Sequence, residues 1–261
     1  MLNKLLKHEL KATARLLIPL YLILLFFTIM DRIVLHLDIF KGVLSLIPGL
    51  ITIGYVLSIV AIVVVTAILM IMRFYKNLFT DEGYLMFTLP VKSYHHINSK
   101  LIVAILWTVV SIIAVIGSIF IVAATPENLK AFNEGLKMFW AELSGPSEDH
   151  RLTIFIELIL MLFLSLINNI LLIYLSIAIG QLLNGHKIIG AFASYIGITT
   201  VLQILATLLI FAASLIFKDI VEDVTFIRTT VFPVTILSLI ILSVIYYFIT
   251  DLIFKRKLNL E

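Results

Sequence analysis

The chain has 261 residues, of which 62% are hydrophobic and 13% are charged. An ordinary soluble domain is about half apolar and a quarter charged, so this composition argues against a soluble enzyme or a disordered chain. The absence of cysteine excludes thiolate metal sites and a disulfide-stapled secreted domain. The net charge of +3 would suggest nucleic-acid binding only in a soluble protein. The composition therefore predicts a polytopic membrane protein that binds no nucleic acid.

Six apolar segments are long enough to cross a membrane. A helix needs about 20 mostly apolar residues to cross a hydrocarbon core of about 30 Å. The first segment has no small-residue cleavage site after it, so we interpret it as a retained span. The predicted spans are Leu16–Leu37, Val43–Met72, Leu101–Ala124, Leu152–Leu183, Ile188–Phe217 and Thr230–Phe254.

These spans predict an all-α membrane protein with a single transmembrane domain over residues 1–261. Most of the 19 lysines and arginines lie in connections on the side of the two termini. Cytoplasmic loops carry an excess of these residues, so both termini are predicted to be cytoplasmic.

The segment before the first span, residues 1–15, has two faces on a helical wheel. Leucines line one face, which predicts an amphipathic helix at the cytoplasmic membrane surface. Glu9 falls in the middle of that apolar face, where an unpaired carboxylate is costly. Glu9 either extends to water at the lipid surface or pairs with Arg73 or Lys76 and ties this helix to the next cytoplasmic loop. The opposite face carries Lys4, Lys7, Lys11 and Arg15.

The cytoplasmic connection over residues 73–100 reads RFYKNLFTDEGYLMFTLPVKSYHHINSK. Thr80 or Asp81 can cap a short helix, Pro90 ends it, and Ser93 can begin a second helix that leads into the third span.

Five large apolar side chains lie within six positions of this loop, and something must cover them. They either fold back on the ends of their own spans or form a docking helix for a cytoplasmic partner. They are Tyr84, Leu85, Met86, Phe87 and Leu89.

On the opposite side of the membrane, Thr125 and Pro126 begin a predicted amphipathic helix that ends before Gly145. Its apolar stripe predicts a helix that lies on the outer membrane surface or caps the bundle, and a gating lid is the alternative. The stripe consists of Leu129, Phe132, Leu136, Phe139, Trp140 and Leu143.

Sequence signatures of enzyme chemistry are absent. There is no G-x-x-x-x-G-K-[ST] phosphate loop and no G-x-S-x-G nucleophile elbow. His8 and Glu9 begin an H-E-x-x-H pattern, but Ala12 takes the place of the second histidine. We therefore predict no catalytic residue, no metal site and no ATPase activity of the chain's own.

Few polar residues lie within the predicted spans. Asn168, Asn169 and Gln203 either hydrogen-bond to neighbouring helices or line a substrate path. No series of acids and histidines crosses the membrane, which argues against a proton-driven carrier.

Several segments together resemble a known family. These are LLKHELKATARLLIPLY at the N-terminus, the loop motif DEGYLMFTLPV, and YLSIAIGQLLNGHKIIGAFASYIG between spans four and five. Together with six spans and cytoplasmic termini, they are similar to the permease subunits of ABC-2-type transporters from Gram-positive bacteria. The likeness covers most of the chain, and DEGYLMFTLPV is its most specific part.

The resemblance implies a protein of the bacterial cell membrane that exports a substrate and is powered by two copies of a separate ATPase. It implies a second permease subunit, identical or homologous, and no cofactor bound directly, with ATP and Mg²⁺ held by the ATPase. The apolar interior favours an amphipathic or hydrophobic substrate such as a peptide or drug. By analogy, the ATPase would contact Glu82, Tyr84, Leu85, Phe87 and Leu89.

A function of another class is also consistent with the exposed aromatic residues of the loop. In this second hypothesis the protein is a membrane scaffold or sensor that recruits a cytoplasmic signalling protein and moves no substrate.

Overall fold

The structure, a computed structural model, describes residues 2–36, 46–79, 93–144, 151–183, 185–216 and 227–256. This part of the chain contains seven α-helices, a single π-helical turn and no strand. In chain order they are α1 (Leu2–His36), α2 (Leu46–Phe79), α3 (Ser93–Ala123), α4 (Pro126–Ser144), α5 (Arg151–Gly180), α6 (Lys187–Ile216), the π-helical turn Ile227–Val231, and α7 (Phe232–Arg256).

Six of these helices, all except α4, are long and apolar enough to cross a membrane. The protein is therefore an all-α, multi-pass membrane protein, which confirms the six predicted spans. The six helices have between 25 and 35 residues. Because about 20 residues cross the hydrocarbon core, their ends extend beyond it.

The helix boundaries differ from the predicted span boundaries on the side that the sequence predicts to be cytoplasmic. The basic segment 1–15 and the first predicted span form one unbroken helix, α1. Helix α2 continues past Met72 to Phe79, and α3 begins at Ser93, where the sequence predicted a helix start. Most of the connection 73–100 is thus helical, and its central residues 80–92 lie outside the described part.

The chain forms two compact units. Unit 1 comprises Met1–Arg73 and Asn98–Gly145, and unit 2 comprises Phe74–Ile97 and Pro146–Glu261. Helices α2 and α3 each contribute residues to both units.

Unit 1 has its core where α1, α2 and α3 meet. One apolar cluster is formed by Leu17, Leu69, Val103 and Trp107, and a second is formed by Leu24, Tyr55 and Ile62. A side chain at Gly54 would clash with the Phe27 ring, at 2.4 Å, so this glycine allows α1 and α2 to approach closely.

Unit 2 is organised around α5, which packs against both α6 and α7. The connection from α5 to α6 is tight because Gly180 has no side chain. A Cβ atom there would lie 2.5 Å from the backbone nitrogen of Ala191. Gly185 in the same connection adopts a φ of 96°, a conformation that other residues rarely accept.

Candidate functional site: a buried charge cluster

Glu9 on α1 is paired with two basic residues from two other helices of unit 1. Lys100 Nζ of α3 donates to Glu9 Oε1 at 2.7 Å, and Arg73 Nε of α2 donates to Glu9 Oε2 at 2.9 Å. The side chains of Glu9, Arg73 and Lys100 are 8%, 28% and 3% exposed. We call these three residues the charge cluster.

The amphipathic pattern of α1 explains why Glu9 is buried. Leu6 and Leu10, its neighbours on the apolar face, pack against the core cluster around Leu17. A carboxylate carried into that environment needs partners, because an isolated buried charge is strongly unfavourable. The structure thus favours the paired alternative for Glu9, with Arg73 as a predicted partner. The exposed Lys76 was the other predicted partner.

No sequence pattern predicted Lys100 as a partner of Glu9. The sequence shows only that Lys100 lies at the start of a predicted span. A lysine in that position could equally face the lipid headgroups. Lys100 is 91 positions from Glu9 in the sequence, so only the packing of α3 against α1 brings the two together.

A second polar link lies one helical turn after Glu9. Trp107 Nε1 of α3 donates to Thr13 Oγ1 at 2.7 Å, and Thr13 Oγ1 donates to the Glu9 backbone oxygen at 2.8 Å. Thr13 is fully buried. Together with the charge cluster, this link fixes the register of α1 against α3.

Further interhelical hydrogen bonds continue along unit 1. Tyr21 on α1 shares one with Ser111 on α3 at 2.8 Å, and Ser111 shares another with Thr66 on α2 at 3.1 Å. Near the opposite end of α1, Thr52 donates to Asp31 Oδ1 at 2.6 Å. Polar contacts therefore connect α1, α2 and α3 at several levels, as expected where backbone and side-chain polar groups must be satisfied without water.

Arg32, beside Asp31, is held by the C-terminal end of α3. Its guanidinium donates to the backbone oxygens of Val122, at 3.1 Å, and Ala124. These are carbonyls at the C-terminal end of a helix, where a positive charge is favourable.

The predicted contact residues Glu82, Tyr84, Leu85, Phe87 and Leu89 lie outside the described residues. The helices on either side of them are described. Arg73 is within two turns of the end of α2 and Lys100 is within two turns of the start of α3. Glu9 therefore joins α1 to both helices that flank the predicted docking segment.

An aromatic cluster in unit 2 surrounds the end of α2. The Phe74 and Tyr174 rings are stacked, with centroids 3.7 Å apart and planes 5° apart. The ring of Phe254 on α7 forms a T-shaped contact with Phe74 and a tilted contact with Phe79. All four rings are buried. We call these four residues the aromatic cluster, and no sequence signal predicted it.

The residues of the predicted interfacial face are arranged as the helical wheel indicates. The basic side chains of that face are exposed, whereas Glu9 and Thr13 are buried. The exposed residues are Lys4, Lys7, Lys11 and Arg15.

The three polar residues predicted within the spans differ in their surroundings. Asn168 Nδ2 donates to Ser243 Oγ of α7 at 3.1 Å and to the Leu239 backbone oxygen at 3.4 Å, so it joins α5 to α7. Asn169 and Gln203 are exposed. Asn168 thus forms hydrogen bonds between helices, which was one of the two predicted alternatives. For Asn169 and Gln203, a position along a substrate path stays a prediction.

Among the described residues, no group of three or more His, Asp or Glu side chains is arranged to hold a metal ion. The charge cluster has one carboxylate between two cations, so its chemistry is that of a structural ion pair network. Comparison with protein-family models, with curated proteins and with solved structures found no match.

Proposed function

We propose that this multi-pass membrane protein is the permease subunit of an ATP-driven transporter of the ABC-2 type, located in a bacterial cell membrane. A separate ATPase in two copies supplies the energy, holding ATP and Mg²⁺, because the chain contains no phosphate loop. A second permease subunit, identical or homologous, completes the transporter. The exported substrate is amphipathic or hydrophobic, such as a peptide or drug.

The observation that carries the proposal is the position of the charge cluster. The motif DEGYLMFTLPV lies between α2 and α3, and Glu9 holds the adjoining parts of both helices against α1. Helices are stiff, and a buried ion pair resists separation once its partners are desolvated. A displacement of the docking segment by a partner ATPase would therefore be passed to α1 as well as to α2 and α3.

The proposed docking residues suit a protein partner. Tyr84, Leu85, Phe87 and Leu89 are apolar side chains of the type that fills a hydrophobic groove, and Glu82 adds a charge at the edge of the segment. A segment inserted in this way would mechanically couple the ATPase to the membrane helices.

The test is co-purification after co-expression of the chain with the products of its neighbouring genes, with an ATPase among them as the expected partner. The double variant Tyr84→Asp/Phe87→Asp places two charges in the docking segment and should abolish co-purification and ATP-dependent transport. The matched control, Tyr84→Phe/Phe87→Tyr, keeps both rings and should retain them. Size-exclusion profiles and thermal unfolding check that both variants insert and fold.

Retained association in the aspartate variant would reject the docking assignment. A chain that binds a cytoplasmic protein through these residues, but stimulates no ATP hydrolysis with any candidate substrate, would instead be a scaffold or sensor.

A further inference from the structure

Among the described α-helices, α4 alone is not apolar enough to be a candidate span, and it is amphipathic along its length. At 100° per residue, six of its seven large apolar side chains fall within an arc of about 100°, and Met138 lies on the opposite face. The described members of this stripe are well exposed, including Leu136 at 38%, Phe132 at 47% and Trp140 at 61%. A stripe of this size facing water would be a large exposed apolar patch, so something other than water must cover it.

Apart from Met138, the opposite face of α4 is polar and alternates in charge. Glu127, Lys130, Glu134 and Lys137 follow each other at spacings of three or four residues, which places acids beside bases on the same face. This face is suited to water and to a surface without strong net charge. It lacks the excess of basic residues seen on the exposed face of α1.

The start of α4 is fixed against the end of α3. Thr125 Oγ1 accepts from the Asn128 backbone nitrogen at 3.2 Å, and Asn128 Nδ2 donates to the Ala123 backbone oxygen at 2.7 Å. The Phe120 and Phe132 ring centroids are 5.0 Å apart. In one straight helix these residues would be about 18 Å apart along the axis, so the chain turns sharply between α3 and α4.

That contact joins the apolar stripe of α4 to the lipid-facing side of α3. Ile113, Ile116 and Phe120 lie on one face of α3 and are 65%, 62% and 43% exposed. In a helix that crosses the membrane, such a face contacts acyl chains. Phe120 is its last member, and Phe132 continues the same apolar surface onto α4.

The location of α4 relative to the membrane follows from the number of spans. In the described part of the chain, three candidate spans precede α4 and three follow it. When each crosses the membrane once, α4 lies on the side opposite both ends of the chain. A helix of 19 residues with an apolar stripe, a polar face and a tryptophan, at the end of a span, has the features of an interfacial helix.

From these features we infer that α4 binds the lipid surface of the membrane, lying in the interface opposite the termini with its apolar stripe among the acyl chains. The binding depends on apolar insertion and is indifferent to lipid charge, because the polar face alternates acids and bases. The inference does not depend on an ATPase partner and holds equally for a scaffold or sensor.

The chain contains no cysteine, so single cysteines can be introduced for spin labelling without removing any native residue. Two neighbouring pairs are matched: Leu129→Cys with Lys130→Cys, and Leu136→Cys with Lys137→Cys. The full chain is reconstituted in vesicles of phosphatidylcholine with or without phosphatidylglycerol. Power saturation then measures collision of each label with oxygen, which concentrates in lipid, and with a water-soluble nickel chelate.

Labels at 129 and 136 should collide several-fold more with oxygen than with the nickel chelate, and labels at 130 and 137 should show the reverse. The pattern should be the same with and without phosphatidylglycerol. Equal, high nickel collision at all four positions would overturn the inference, because α4 would then lie in water. Low collision with both reagents at 129 and 136 would also overturn it, because protein would then cover the stripe.

A second measurement leaves the stripe intact. The chain has two tryptophans, so Trp107→Phe leaves Trp140 as the only reporter. Lipids brominated near the headgroup should quench Trp140 fluorescence more strongly than lipids brominated at the chain terminus. Absence of lipid quenching, together with full quenching by iodide, would contradict the inference.

Discussion

Arg73 and Phe74 are consecutive residues of α2, yet they are held by different physical interactions. Arg73 belongs to unit 1, where a buried carboxylate from α1 binds it together with Lys100. Phe74 belongs to unit 2, where the stacked Tyr174 ring and the Phe254 edge bury it completely. A member of the charge cluster is thus followed directly in the sequence by a member of the aromatic cluster.

The two clusters should differ in their tolerance of change. Removing one member of a buried ion pair leaves the other members charged and desolvated, so even a substitution of the same shape is costly. An aromatic cluster loses contact area and ring geometry, and another apolar side chain recovers part of this loss. The charge cluster is therefore expected to specify one arrangement of helices, and the aromatic cluster to supply general packing energy.

The largest expected effect is that of Glu9→Gln, which keeps the shape of the side chain and removes its charge. Arg73 and the buried Lys100 are then left without the negative charge that pairs with them. We therefore expect a loss of about 3 kcal/mol in the free energy of unfolding. Denaturant titration of the purified protein in mild detergent measures it. Glu134→Gln on the exposed face of α4 is the control and should change stability by less than about 0.5 kcal/mol.

A triple replacement by apolar residues sharpens this prediction. In Glu9→Leu/Arg73→Met/Lys100→Met no charge is left unpaired, and most of the lost stability should return. If the triple variant is as unstable as Glu9→Gln, the charges themselves stabilise the fold, and our account of the cluster as a device for specificity is wrong.

A substitution in the aromatic cluster should lower the free energy of unfolding by less than Glu9→Gln does. Phe74→Leu keeps an apolar side chain against α5 and α7 but removes the stack with Tyr174, which predicts a loss of about 1 kcal/mol. The same denaturant titration applies, with Phe26→Leu on an exposed face of α1 as the control. A loss larger than that of Glu9→Gln would reverse the proposed ranking of the two clusters.

Trp107→Phe tests the link beside the charge cluster. It removes the donor to Thr13 Oγ1 and keeps an aromatic ring in the core, so we expect a loss of up to about 1 kcal/mol. Thr13→Val removes the acceptor, and a double-mutant cycle with Trp107→Phe isolates the hydrogen bond. A coupling energy of zero would mean that the tryptophan contributes only by packing.

The smallest expected effect belongs to Asn168. Asn168→Leu removes its hydrogen bonds to α7 and should cost about 0.6 kcal/mol, the average for such bonds between membrane helices. The adjacent and exposed Asn169 is the matched control, and Asn169→Leu should be neutral for stability. If Asn169→Leu instead abolishes the proposed transport activity while stability is unchanged, this supports a place for Asn169 in a substrate pathway.

The sequence was informative where a signal is local. The amphipathic pattern of residues 1–15 located Glu9 on an apolar face and therefore indicated that it needs a partner. The start of α3 at Ser93 followed from a capping residue. By contrast, the stack of Phe74 on Tyr174 joins residues 100 positions apart. No periodicity or motif within either segment predicts this contact.

Composition and hydrophobic length alone determined that this chain is helical and crosses a membrane six times, because in lipid each backbone polar group must be satisfied within its own helix. The same rule leaves open which helices are neighbours, since every apolar span is equally suited to lipid. Only the tertiary structure decided that α1 lies against α2 and α3, and thereby that Lys100 completes the pairing of Glu9. Partner choice depends on distances between residues far apart in sequence, and these are properties of packing.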